Sequence, residues 1–235
     1  MRFTKMQGLG NDYVYLNCTG GVPDNLPELA VRLSDRHFGV GADGLICVCP
    51  SERADFGMRI FNADGSEGAM CGNGIRCLGK YVYDKGLTRK TSLLTVETAS
   101  GVRYLELFLR EGKVQSVLVD MGRPELSPPV KLMAAGKTWQ AVPVSVGNPH
   151  AVVFCGEVDA LNLSELGPAL ERHPAFPDRV NVEFAQLDDR GGLKVRVWER
   201  GSGETLACGT GACAAVTAAA QAGLVSRHTT VRLPG

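Results

Sequence analysis

Apolar positions along the chain change their spacing from one segment to the next, and the spacing lays out a succession of short elements. Alternation or short apolar runs predict strands at 3–6, 13–17, 45–49 and 58–61, because successive strand side chains point to opposite faces. Within 27–36, Leu29, Ala30 and Leu33 recur at helical spacing and predict an amphipathic helix. Ile75, Leu78 and Val82 do the same between Gly74 and Asp84, with Gly86 as a natural stop. Strand-like segments return at 93–98, 102–109 and 114–120. The stretch MGRPELSPP then breaks the pattern with proline and glycine, as a seam does. Beyond it the order resumes, with strands at 142–146 and 151–154, a helix at 164–172, strands at 182–186 and 193–199, and a helix at 211–222.

Two stretches stand out in that order, CGNGIRCLGKYVYDKGL from Cys71 and CGTGACAAVTAAAQAGL from Cys208, 137 positions apart. The same shift carries Gly10-Asn11 onto Gly147-Asn148, Gly44-Leu45 onto Asn181-Val182, and Arg59, Asn62 and Glu67 onto Arg196, Glu199 and Glu204. Glycine-rich helix starts recur in many folds and would explain one such match. One ungapped offset through several separated stretches is the mark of an internal duplication. The chain therefore reads as two copies of one domain, 1–120 and 121–235. The later helix has small residues on every side (Ala212, Ala214, Ala215, Ala218, Ala219, Ala220) and so predicts burial all round. The expected fold class is α+β: two pseudo-symmetric domains, each a mostly antiparallel sheet rolled around a central helix, with the active site in the cleft between them. The second copy has no counterparts of the strands at 102–109 and 114–120. Either the chain is shortened, or the second sheet is open on one side with an exposed edge.

Charge adds exclusions. The 235 residues hold 25 basic and 25 acidic side chains, so no nucleic-acid or acidic-membrane partner is implied. The start, MRFTKMQGLGND, has no apolar leader. Residues 208–226 carry no charge, but they are alanine, glycine and threonine with a glutamine inside, not the large apolar residues of a membrane span. A cytoplasmic protein is expected. None of the eight cysteines falls in a close C-x₂-C pair, so neither a zinc site nor a disulfide framework is implied. Cys18, Cys47, Cys49, Cys77, Cys155 and Cys213 read as small buried hydrophobes.

Cys71 and Cys208 read differently. Each precedes a helix N-terminus, where free N–H groups and the helix dipole favour a thiolate and equally favour a carboxylate. The glycines beside them let a ligand approach the backbone. One thiolate and one thiol across a carboxylate-bearing carbon make a specific tool: one takes the α-proton from one face, and the other delivers a proton to the opposite face. The outcome is inversion of a chiral centre, with the helix starts holding the carboxylate as negative charge spreads onto it. The scheme requires no metal, pyridoxal phosphate or other cofactor.

FNADGSE with MCGNGIRC, and ERGSGETLACGTGAC in the second half, resemble the diaminopimelate epimerase family. GLGNDYV, RHFGVGADGLI, VGNPHAVVF and RVNVEF extend the resemblance over nearly the whole chain in the family's order. It implies two pseudo-symmetric domains of sheet around a helix. The implied activity is cofactor-independent conversion of LL- to meso-2,6-diaminopimelate, for lysine and peptidoglycan precursors, by a homodimer. By motif, Cys71 and Cys208 match the base and acid pair. Gly72-Asn73 and Gly209-Thr210 match the helix starts that hold the reacting carboxylate. Asn11, Asn62, Asn148, Asn181, Glu199 and Arg200 match substrate-binding positions, Arg200 for the distal carboxylate and Glu199 for the distal ammonium. His150 is kept outside the catalytic set, and Gly44 stands where part of the family has glutamine. The competing readings are a proline or hydroxyproline racemase of the same fold, whose substrates do not need a Glu199-Arg200 anchor, and a redox or metal-binding dithiol protein.

Overall fold

The computed structural model describes residues 1–235 and divides into two compact units, Met1–Met121 and Gly122–Gly235. The first unit contains β1 (Thr4–Gly8), β2 (Asn11–Asn17), α1 (Leu26–Ser34), β3 (Gly44–Cys49), β4 (Phe56–Asn62), β5 (Glu67–Gly68), α2 (Gly72–Asp84), β6 (Leu94–Thr98), β7 (Gly101–Arg110) and β8 (Lys113–Val119). They form one sheet in the order β1-β2-β3-β4-β6-β7-β8, with β5 beside β4. β2 runs parallel to β3 and β4 to β6, and the other neighbours are antiparallel.

Strand alternation explains why this sheet carries a helix on each face. Tyr13, Tyr15, Ile46 and Val48 point to one face and pack with Ile75, Leu78 and Val82 of α2. Val14, Leu16, Leu45 and Cys47 point to the other and pack with Leu26 and Ala30 of α1. All six residues of β3 are buried, as expected of a strand covered on both sides. α2 packs against β1 and β2 at one end of the sheet and against β7 and β8 at the other, so the sheet curls around it.

The second unit contains β9 (Glu125–Leu126), β10 (Val130–Ala134), β11 (Lys137–Ser145), β12 (Pro149–Phe154), a short 3-10 turn (Val158–Ala160), α3 (Leu163–Glu171), β13 (Asn181–Leu187), β14 (Leu193–Glu199), β15 (Gly203–Thr205), α4 (Gly209–Gln221) and β16 (Val231–Arg232). The sheet order is β10-β11-β12-β13-β14-β15, with β9 beside β11 and β16 parallel to β14. The offset of 137 read from the sequence maps α1 onto α3, β4 onto β14 and α2 onto α4 end to end. It also holds for strand register: Tyr13 pairs with Gly44 as His150 pairs with Asn181.

Several expectations need correction. The two- and three-residue strands β5, β9, β15 and β16 are too short to show periodicity. β10 and the first half of β11 form a hairpin where no strand was expected, and β9 lies inside the proline-rich seam. The largest correction concerns α4. It is not buried all round: Thr210, Gly211, Ala214, Ala215, Ala218 and Ala219 are buried, whereas Ala212, Cys213, Val216, Thr217 and Ala220 are only partly covered. α4 packs on β11, β12, β13 and β14, and no strands in the position of β7 and β8 close over its other side. Cys213 on α4 is accordingly half-buried, and so is Cys155 just after β12, while Cys18, Cys47, Cys49 and Cys77 are buried; all eight cysteines are free thiols.

Candidate active site

Both helices that follow Cys-Gly-x-Gly begin in the same way. Cys71 is the N-cap of α2, with φ −134° and ψ 117°, and its sulfur accepts the backbone N–H of Gly74 at 3.3 Å. Cys208 is the N-cap of α4, with φ −126° and ψ 116°, and its sulfur accepts the N–H of Gly211 at 3.3 Å. The position is ordinarily filled by Ser, Thr, Asp or Asn, whose oxygen satisfies one of the helix's unpaired N–H groups. A sulfur is a poor acceptor as a thiol and a good one as a thiolate, so the cap itself favours ionisation. Neither helix has an acidic residue in its first turn, which leaves the positive end of each dipole to sulfur and to an incoming anion.

In the first unit Cys71 is half-buried, and Asn11 Oδ1 accepts from its Sγ at 3.4 Å. Asn11 Nδ2 in turn donates to Asp43 at 2.7 Å, which fixes the amide's orientation. Tyr13 completes the setting: its hydroxyl bonds with both Cys71 and Asn11, and burial first, then Cys71, push its phenol far above the ordinary range. Tyr13 was not among the residues expected from sequence. Asn73, 3% exposed, accepts from Arg76 at 2.7 Å. Asn62 ends β4 and donates to Ser66; it is exposed and lies across the ladder from Gly44. Gly44 itself has no room for a side chain, since a Cβ there would sit 2.2 Å from the Phe61 carbonyl oxygen.

In the second unit Cys208 is buried, at 6% exposure, and lies 3.3 Å from the Thr210 hydroxyl. Burial pushes its thiol well up, the charges of Glu199 and Glu183 add to this, and the Thr210 hydroxyl and Gly211 N–H oppose it. Asn148 donates to Thr210 at 3.3 Å. His150, also buried, lies 3.0 Å from Asn148 Oδ1 and 2.7 Å from Glu183 Oε1. Glu199, at the end of β14, accepts from Thr205. Asn181 receives the Arg200 backbone N–H at 2.8 Å, and the Arg200 side chain is exposed and donates to the Asp178 carbonyl. A guanidinium met only by a backbone carbonyl keeps its charge for a carboxylate ligand.

Each expected residue of the first unit (Asn11, Asn62, Cys71, Gly72, Asn73) and of the second (Asn148, Asn181, Glu199, Arg200, Cys208, Gly209, Thr210) therefore lies at the helix start or at the strand ends beside it. Direct contact with the cysteine is made by Asn11 in one unit and Thr210 in the other. No group of His, Cys, Asp and Glu side chains has the geometry of a metal site.

Comparison with known proteins converges on one family. Residues 3–127 and 142–235 match the model of the diaminopimelate epimerase family. The diaminopimelate epimerase of Acetivibrio thermocellus is 52% identical over 250 residues, covering 100% of this chain and 88% of that protein. That of Methanococcus maripaludis is 49% identical over 248 residues, covering 100% and 89%. Among solved structures, a hydroxyproline epimerase from Agrobacterium vitis superposes with a TM-score of 0.69 at 17% identity, over 95% of this chain and 78% of that one. A PhzF-family phenazine biosynthesis protein from Bacillus anthracis does so with a TM-score of 0.69 at 18% identity, over 98% and 84%. At such identities these two bear on the fold alone.

Proposed function

The chain belongs to the diaminopimelate epimerase family, and from that premise we propose that it interconverts LL- and meso-2,6-diaminopimelate by passing protons between the α-carbon and two thiols, Cys71 and Cys208. The observation that carries this reading is the repeated cap: two cysteines at equivalent positions, each with its sulfur on a helix-start N–H group and with glycines at the first and third positions after it.

In the proposed reaction a thiolate removes the α-hydrogen from one face, and the electron pair left on carbon spreads into the adjacent carboxylate. The other thiol protonates the opposite face, and the stereocentre is inverted. The N–H groups at Gly72-Asn73 and Gly209-Thr210 are proposed to bind that carboxylate where its charge grows, which is where preorganised donors lower a barrier most. Two general acid–base groups of this kind contribute about 10²–10⁴-fold each. Asn11, Asn62, Asn148 and Asn181 are proposed to bind the substrate's polar groups. Arg200 is proposed to hold the distal carboxylate and Glu199 the distal ammonium. A substrate with two amino-acid ends explains why the second unit has Glu199-Arg200 where the first has Asn62-Ala63. The scheme uses no cofactor, and the product would serve lysine and peptidoglycan-precursor synthesis. We propose a cytoplasmic homodimer; no helix is long and apolar enough to cross a membrane.

The test is incubation with LL-diaminopimelate in heavy water under reductant, following loss of the α-proton signal by NMR. Wild type is expected to exchange and invert. Cys71→Ala and Cys208→Ala, each checked for folding, are expected to lose inversion by about 10³-fold or more. A folded, reduced wild type that leaves the substrate unchanged but epimerises proline or hydroxyproline would transfer the assignment to those substrates.

A further inference from the structure

Glu183 lies on β13 with its side chain fully buried against the first turn of α4. Its Oε1 is 2.7 Å from His150 Nδ1, and its Oε2 makes no hydrogen bond. A carboxylate in such a place is costly unless a cation or strong donor meets it. The chain has made room for it: a Cβ on Gly211 would lie 2.6 Å from Glu183 Oε1, so the second glycine of Cys-Gly-Thr-Gly is what lets the acid in. The other nitrogen of the same imidazole, Nε2, faces Asn148 Oδ1 at 3.0 Å. Glu183 and Nδ1 share one hydrogen across their contact, and the Asn148 oxygen is met by a hydrogen on Nε2. From there the contacts run in one direction. Asn148 Nδ2 donates to Thr210 Oγ1 at 3.3 Å, which leaves the Thr210 hydroxyl hydrogen for Cys208 Sγ at 3.3 Å.

We propose that Glu183 is a positioning residue for proton transfer at Cys208: by holding His150 with a hydrogen on Nε2, it aligns the Asn148 amide and the Thr210 hydroxyl so that the chain ends as a donor to sulfur. The inference rests on Cys208 being one of the two reacting thiols. Sulfur then has two fixed donors, Thr210 O–H and Gly211 N–H. The S–H hydrogen is left to point away from the helix cap. When the S–H bond breaks and the hydrogen passes to the substrate carbon, the electron pair stays on a sulfur already met by both donors.

The ionisable groups around Cys208 in this unit are Glu183 on β13, His150 on β12 and Glu199 at the end of β14. Of the other charged groups on strands packed against α4, Lys194 and Arg196 are engaged by Asp159 and Glu204, and Lys137 is exposed at the far end of β11. The chain makes a prediction opposite in sign to that of charge acting through space. Removing a nearby negative charge alone would ease ionisation of Cys208. In Glu183→Gln, the new amide oxygen accepts the hydrogen on Nδ1, and Nε2 is left as an acceptor. The Asn148 amide turns over to donate to Nε2, the Thr210 hydroxyl then donates to Asn148, and sulfur loses a donor. Ionisation becomes harder.

The experiment follows iodoacetamide labelling of Cys208 against pH, resolved by peptide mass spectrometry, together with ¹⁵N NMR of the His150 ring. In wild type Nε2 is expected to carry a hydrogen, and in Glu183→Gln to carry none. At a fixed pH below the midpoint, Glu183→Gln and Thr210→Val are each expected to label about tenfold more slowly, one pH unit, the scale of one hydrogen bond to a charged group. Thr210→Ser keeps the hydroxyl and is expected to label at the wild-type rate. Adding Glu183→Gln to Thr210→Val is expected to slow labelling no further, since both cut one chain. Faster labelling in Glu183→Gln, full additivity of the two changes, or a wild-type His150 with no hydrogen on Nε2 would each overturn the proposal. If Glu183→Gln does not fold, the Thr210 pair and the wild-type spectrum still decide. Labelling needs no turnover, so failure here with epimerisation intact leaves the family reading standing, and the labelling shifts without epimerisation would leave the chain standing.

Discussion

The first turns of α2 and α4 share a backbone and differ in what surrounds it. Both helices have thirteen residues, with N-cap angles that agree within about 10°. At equivalent positions the first unit has Tyr13, Ile46, Asn62 and Asn73, and the second has His150, Glu183, Glu199 and Thr210. Gly74 makes room for the end of Ile46 in one, as Gly211 makes room for the Glu183 carboxylate in the other: the added Cβ would lie 2.5 Å and 2.6 Å away. The sulfur of Cys71 is thus set beside a phenol and an amide on an apolar floor, and that of Cys208 beside a hydroxyl and within reach of the charges of Glu199 and Glu183. The cap is a property of the helix start, while the ease of ionisation is a property of two or three strand residues beneath it. Duplication could keep the first and vary the second.

Exchanging those strand residues is the severest test of the comparison. Ile46 is fully buried among Tyr15, Val48 and Ile75, with no imidazole nearby. Ile46→Glu is expected to cost about 3–5 kcal/mol, the scale of an uncompensated buried charge. Glu183→Ile alone leaves His150 without its partner and should cost a similar amount. The double change His150→Tyr with Glu183→Ile copies the first unit's pair into the second. Replacing a buried ion pair by packed apolar groups is often neutral or stabilising by about 1–4 kcal/mol, so the double variant should recover most of the stability in urea unfolding while epimerising poorly. A double variant as unstable as Glu183→Ile alone would show that the two floors are not interchangeable and break the comparison.

Much of this was legible in the sequence. The repeat offset located both caps, both central helices and the register of the central strands, since all of these depend on spacing along the chain. Tyr13 and Glu183 were not legible, because each is one polar residue within a strand that reads as half-exposed. In Val182-Glu183-Phe184 the alternation assigns Glu183 to a solvent face, and only the packing of α4 over that face turns it into a buried acid. The partial cover of α4 escaped for the opposite reason. A helix of alanine and threonine fits equally under a strand or at a half-open surface, and composition does not distinguish them. The absence of counterparts to β7 and β8 was the better guide, and it was visible in the repeat arithmetic.

That difference in cover gives a second contrast, of smaller size. Gly79 on the outer side of α2 faces β7 and β8, and a Cβ there would lie 2.9 Å from Leu105, 3.0 Å from Leu107 and 3.6 Å from Val117. Its equivalent in α4 is Val216, which is only partly covered. Gly79→Val should therefore force the leucines off their rotamers and cost about 1–3 kcal/mol despite the better helix propensity of valine. The reverse change, Val216→Gly, removes a partly covered side chain into which no strand packs from the outer side, and should cost about 1 kcal/mol, the propensity difference plus part of a valine's burial. Urea midpoints of the two variants measure the contrast directly. A loss at Val216 as large as that at Gly79 would mean that α4 is covered in solution by something that makes real contact there, and its outer face would then be as much a core position as that of α2.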